Sequence, residues 1–296
     1  HTKTKGLSEP ATASGRGLSN SAVIWLATVS PRMVPMRSTT CSSAGCVRRA
    51  SASISSTRRL CHEYANSSLP RSGASSLSQA GLDGLEARCQ LLGDIMAGEF
   101  AYRGDRMNYD DLQNADLMRV IDRRQGLPVA LAILYLHAAR SQGWQIEGVN
   151  FPGHFVIRLF HDGRAAILDP FDGGRVLEIG DLRQRLKTTL GESAELQPSH
   201  YSGIGNRDIL LRLQNNIKVR LIQEGNLPRA AAVVERMLMI APDAAAFWRE
   251  AGLIHSRLGN LLAAKHALAR FLETADNDAQ RHQVARLLQD INQRLQ

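Results

Sequence analysis

Apolar positions recur with regular spacing only from about residue 81 onward. Leu85, Leu91, Leu92, Ile95 and Met96 have the spacing of one helix face. Tyr102-Arg103-Gly104-Asp105 reads as a loop. Leu117, Val120 and Ile121 form a second helical stripe, with Asn114 as the expected cap and an end before Gly126. Pro128 suits the first turn of a third helix, where its missing N–H costs nothing. That helix is apolar from Val129 to Leu136 on nearly every side, which predicts burial, and Gly143 ends it. Two strand-like runs follow at 155–160 and 165–169. His161-Asp162-Gly163-Arg164 joins them, and Asp-Gly is a strong signal for a two-residue hairpin.

That hairpin has a chemical consequence. A turn at Asp162-Gly163 sets Asp169 opposite Val156. His154 shares the face of Val156 and becomes the diagonal neighbour of Asp169. Diagonal neighbours lie about 7–8 Å apart at the backbone, within reach of an imidazole–carboxylate hydrogen bond.

Residues 192–206 are polar, with Pro, Ser and Gly, and read as a linker. Residues 207–296 are helical and repeat internally. Gly225-Asn226 recurs as Gly259-Asn260, Ala230 as Ala264 and Val234 as Leu268, all at the tetratricopeptide period. Pro242, Trp248, Gly252 and Gly259 fit that pattern. Val284, Leu287, Leu288, Ile291 and Leu295 form a last amphipathic helix suited to capping the stack. The expected class is α+β, a compact domain at 81–191 followed by a short α-helical solenoid.

Charge changes the picture only at the start. Residues 1–80 carry ten basic and two acidic side chains and 18 serines, and so hold the whole net charge of +8. This composition predicts disorder. A nucleic-acid tail would place its charges together and add aromatic platforms, and a transit peptide would form an amphipathic helix. The segment does neither. Its first residue is His, and its texture is that of a GC-rich gene read out of frame or ahead of its start, so it is expected not to be native coding sequence. The apolar run at 22–29 is far short of the roughly 20 residues that span a bilayer. Cys41, Cys46 and Cys61 lie in this segment, leaving Cys89 alone in the globular part. No disulfide framework or zinc cluster is available there, and a reducing cytoplasm is expected. No cofactor, metal or membrane contact is implied.

Three blocks carry a family likeness: Gly126-Leu127-Pro128-Val129 with Leu134-Tyr135; residues 148–155, which contain Phe151-Pro152-Gly153-His154; and Leu168-Asp169-Pro170-Phe171-Asp172-Gly173-Gly174. Together they resemble the bacterial SirB-type transglutaminase-like proteins, over about 82–296. The resemblance implies a transglutaminase/papain-like core followed by tetratricopeptide repeats. It also implies a triad order of nucleophile, His and Asp. His154 and Asp169 match the last two places, and Pro128 stands at the first. Members of that family resemble this chain in lacking the cysteine.

A triad needs a thiol or hydroxyl at the helix start. Residues 126–139 contain no Ser, Thr or Cys; Ser141 is at the far end, and Cys89 reads as a small core residue. His154 and Asp169 are therefore read as a vestigial dyad. His137 and His255 read as core histidines, Asp110, Asp111 and Asp116 as loop or capping carboxylates, and Gly173-Gly174 as a turn. The expected function is a non-catalytic interaction scaffold. A protein or peptide is held on the repeats by Asn216, Arg220, Arg249 and Arg257. The competing expectation is a cysteine-type hydrolase or acyl-transferase acting on amide bonds, with His154 as base and Asp169 as its orienter.

Overall fold

The computed structural model describes residues 84–296. The basic segment at 1–80, with its three cysteines, lies outside the described residues.

Helix α1 (Leu85–Gly93) buries Leu85, Cys89 and Leu92. It runs on into a π-helical turn, Asp94–Glu99, which buries Ile95 and Met96. Helix α2 (Leu117–Arg123) is capped by Asp116, whose carboxylate accepts the Met118 N–H. The expected cap, Asn114, is instead buried one turn earlier, in the 3-10 turn Leu112–Ala115. Its side-chain amide donates to the Asn108 carbonyl and its Oδ1 accepts from Arg123. That side chain is drawn inward to hold the preceding loop and is not free to cap. Helix α3 (Pro128–Ser141) starts on Pro128 and is buried along almost its whole length, as its all-round apolar character requires.

Five strands form one antiparallel sheet: β1 (Gln145–Val149), β2 (Val156–His161), β3 (Arg164–Asp169), β4 (Arg175–Leu177) and β5 (Gly203–Ile204). Their spatial order is β4-β3-β2-β1-β5. Asp162 and Gly163 both have positive φ, 47° and 73°, as a tight two-residue hairpin demands. His161 therefore pairs with Arg164 and Ile157 with Leu168, the register expected from the sequence. Alternation splits the sheet cleanly. Ile146, Ile157, Leu159 and Leu168 pack with α3 on one face. Val149, Val156 and Leu177 pack on the other with Leu182 and Leu186 of helix α4 (Ile179–Leu190). β1, β4, β5 and α4 add to the elements expected from the sequence.

The expected linker does more than connect. Ala194, Leu196 and Tyr201 pack against the α4 side of the sheet. Gly203–Ile204 then pairs with Val149 and Gly148 as the edge strand β5.

Helix α5 (Asn206–Gln223) follows, then α6 (Leu227–Ile240), α7 (Ala245–Arg257), α8 (Leu261–Thr274) and α9 (Asp278–Arg294). The repeat seen in sequence is a repeat of backbone. Gly225 and Gly259 have φ of 73° and 74°. Asn226 and Asn260 share φ/ψ of −83°/65° and −79°/67°. The paired positions Ala230 and Ala264, Val234 and Leu268 are all fully buried. Helix α9 seals the stack with Val284 and Ile291. The stack does not stand apart from the sheet. Ile209 and Leu213 of α5 belong to the core beneath α3, while Leu221 of the same helix belongs to the core of the repeats. No helix among the described residues is long and apolar enough to cross a membrane.

Candidate functional site

β3 ends on Asp169, which is 0% exposed. Three donors converge on its carboxylate. His154 Nε2 lies 2.9 Å from Oδ1 and 3.0 Å from Oδ2. Arg185, from α4, lies 2.6 Å from Oδ2. The Phe171 N–H donates at 3.0 Å, which makes Asp169 the cap of the 3-10 turn Pro170–Asp172. Burial alone would raise the carboxyl pKa. The His154 hydrogen bond and charge, Arg185 and the Phe171 N–H outweigh it and hold the group below the usual carboxylate range. The site at rest is thus a carboxylate shared between a guanidinium and an imidazole. Arg185 lies on a helix whose signal in the sequence is the amphipathic spacing of Ile179, Leu182, Leu186 and Leu190.

His154 is 11% exposed, and its ring edge meets Phe171 at 6.0 Å between centroids, 88° between planes. Phe171 in turn lies flat on Gly104, where a Cβ would come within 2.6 Å of its ring. Tyr109 packs edge-on to Phe171 at 5.8 Å, and Arg106 sits over it at 5.9 Å. An aromatic ring therefore occupies the space beside the imidazole, toward the strand pair Gly104–Gly126 that precedes α3.

Beneath the site, Tyr135 of α3 is fully buried and its hydroxyl has no hydrogen-bond partner. Burial, with the Asp169 charge, pushes this phenol up, so it stays protonated.

Pro128, expected from the sequence at the nucleophile position, is buried at the first turn of α3. Ser141 spends its hydroxyl on the Ala138 carbonyl. Cys89 is 2% exposed, and burial, with the charge of Glu86, pushes its thiol up to about 11. Such a thiol is almost wholly protonated at pH 7, the reverse of an activated nucleophile. Native protein treated with iodoacetamide at pH 7.5 should leave Cys89 unmodified while the unfolded chain reacts fully. Rapid native labelling that disappears in His154→Ala would identify Cys89 as an activated thiol.

Among the described residues, no group of three or more His, Cys, Asp or Glu is placed to hold a metal ion. Asp111 and Asp116 serve as caps. His137 is half-buried, and burial, with Arg140 nearby, lowers its pKa. His255 lies 3.2 Å from Glu235.

The four residues expected to face a partner divide. Arg257 is exposed, and Asn216 and Arg249 are half-buried. Arg220 is 6% exposed and is not part of an open surface. Its guanidinium turns to the sheet domain, donating to the Tyr109 carbonyl at 3.2 Å and lying 3.3 Å from Asp110. The loop at 106–110 covers that stretch of α5, which a free-standing solenoid would expose.

A family model for the transglutaminase-like superfamily matches residues 52–215, and a tetratricopeptide-repeat model matches residues 217–289. The first match begins inside the Ser/Arg-rich segment, so 52–80 align with the family despite their composition. The chain is similar to a UPF0162 protein of Xylella fastidiosa, 33% identical over 183 residues, 59% of this chain and 63% of that protein. It therefore spans less than two thirds of that relative's length. A UPF0162 protein of Vibrio cholerae is 29% identical over 194 residues, 65% of this chain and 72% of that protein. F-box only protein 21 of Mus musculus is 30% identical over 141 residues, 45% of this chain and 22% of that protein.

Proposed function

We infer that this chain, which belongs to the transglutaminase-like superfamily, acts as a non-catalytic scaffold that holds a protein or peptide partner on its tetratricopeptide region. One observation carries the reading. The helix start that would present a nucleophile presents Pro128, and Phe171 fills the space beside His154. Cys89 is buried with a raised thiol pKa and Ser141 donates to the Ala138 carbonyl, so on this reading neither is available for the dyad to deprotonate. His154, Asp169 and Arg185 then serve to fasten the sheet to α4. The tetratricopeptide architecture supports partner binding. The lone cysteine of the described residues fits a reducing cytoplasm.

The binding surface proposed comprises Arg249 and Arg257 of α7 together with Asn216 of α5; Arg220 is withdrawn from it by its burial. Its cations suit an acidic or extended peptide. Co-purification with mass spectrometry, using Arg249→Glu/Arg257→Glu against the parent chain, tests this. Partner recovery should be lost with the thermal midpoint little changed at Arg257, since exposed substitutions cost under about 0.5 kcal/mol. Arg249 is half-buried, so Arg257→Glu alone is the control for folding. Recovery that survives the double reversal but fails in His154→Ala would move the binding site to the transglutaminase-like domain.

The competing reading, a hydrolase or acyl-transferase on amide bonds, draws on the intact contact between His154 and Asp169. It requires a nucleophile within about 3–4 Å of the imidazole.

A further inference from the structure

The helix that opens the repeats reaches the dyad through a continuous stack. Arg220 of α5 lies over the Tyr109 ring at 5.4 Å. Tyr109 meets Phe171 at 5.8 Å, and Phe171 meets His154 at 6.0 Å. We propose that the loop at 106–110 is a lid over His154, latched from the repeat side by Arg220.

The lid is built to move. All five of its residues are exposed, Met107 at 90%. A segment with so little buried apolar surface sits at the low end of local stability. Its anchor points are Asp105 at its base and the Asn108 backbone at its centre, about which the flanking side chains can swing. Asp105 is buried, accepts the Asn108 N–H and pairs with Arg123. Asn114 donates to the Asn108 carbonyl. Beyond those points Arg106 pairs with Asp172 at 2.6 Å and lies over Phe171, Tyr109 packs on Phe171, and Arg220 holds the Tyr109 carbonyl and Asp110.

The latch is incompletely satisfied. The Arg220 Nε is buried with no hydrogen-bond partner, and its carboxylate partner, Asp110, is 85% exposed. Its Nη1 donates to Asn216 within α5, so release gives up only the Tyr109 and Asp110 contacts, and the orphaned Nε gains water. Lifting Tyr109 removes its edge contact from Phe171, leaving that ring against Gly104, His154 and Arg106. The imidazole then meets solvent. A ligand that reorients α5 near Arg220 would thereby control access to His154, whether or not the dyad performs chemistry.

Carbethoxylation of the full-length chain by diethyl pyrocarbonate, read at His154 by peptide mass spectrometry, tests the lid. Modification should be slow in the parent chain and about tenfold faster in Tyr109→Ala, which loses the ring between Arg220 and Phe171, and in Arg220→Lys, which loses the guanidinium that holds the loop. Lys265→Ala, on an exposed face of α8, should match the parent rate. Tyr109→Ala alters an exposed loop and keeps the test valid if Arg220→Lys unfolds. Parent-like rates in a folded Tyr109→Ala chain would overturn the lid. Faster modification in Tyr109→Ala with a parent rate in folded Arg220→Lys would overturn the latch.

Discussion

Asp169→Ala should destabilise the chain by about 3–5 kcal/mol in urea unfolding at pH 7, the cost of stripping the common partner from buried charges. Three groups lose their acceptor at once: His154, Arg185 and the Phe171 N–H. The partly exposed Arg185 recovers some hydration, which places the expected value toward the lower end. The pH dependence has a definite sign. The folded carboxyl lies below its unfolded value. Its contribution is therefore complete above the unfolded pKa of about 3.9 and is lost as pH falls through the folded pKa. The gap between the parent and Asp169→Asn should be widest near neutrality and close in acid. A cost under about 1 kcal/mol for Asp169→Ala would mean that the triad of side chains fastens nothing.

Cutting the chain between residues 216 and 217, where the two family matches meet, should destroy both parts. Helix α5 crosses that boundary. Ile217, beyond the cut, packs against the core under α3, and Leu211, before it, packs against the core of the repeats, so each fragment loses an apolar side chain from its core. Each truncated apolar side chain costs about 2–5 kcal/mol, against a total of about 5–15 for a typical domain. The full chain should melt in a single transition in which far-UV circular dichroism and tryptophan fluorescence coincide. A fragment of residues 217–296 with its own sigmoidal urea transition would show the repeats to be independent.

Much of this architecture was legible in the chain. Asp162-Gly163 dictated a two-residue turn, and that turn alone brought His154 to Asp169. The recurrence of Gly225-Asn226 at Gly259-Asn260 gave the repeat, because positive φ after a helix selects glycine. What stayed hidden depends on tertiary placement. Arg185 reaches Asp169 only once α4 lies across the sheet. Phe171 closes the site only because Gly104, distant in sequence, lacks a side chain to keep it away. Arg220 was read as an open binding residue because helix periodicity says which residues share a face, not what covers that face. The strands β4 and β5 are too short to show alternation.

The shared helix also makes the molecule intolerant of small changes in chain length. Each residue of an α-helix advances about 1.5 Å and turns about 100°. One residue inserted between Leu213 and Leu221 would swing the whole stack of repeats by roughly a quarter turn about the axis of α5. Arg220 would leave Tyr109, and the exposed side of α7 would point elsewhere relative to the sheet. Only changes close to a whole number of turns, such as seven residues, keep the two bodies in phase. The stretch from Leu213 to Leu221 thus acts as a ruler and a compass at once.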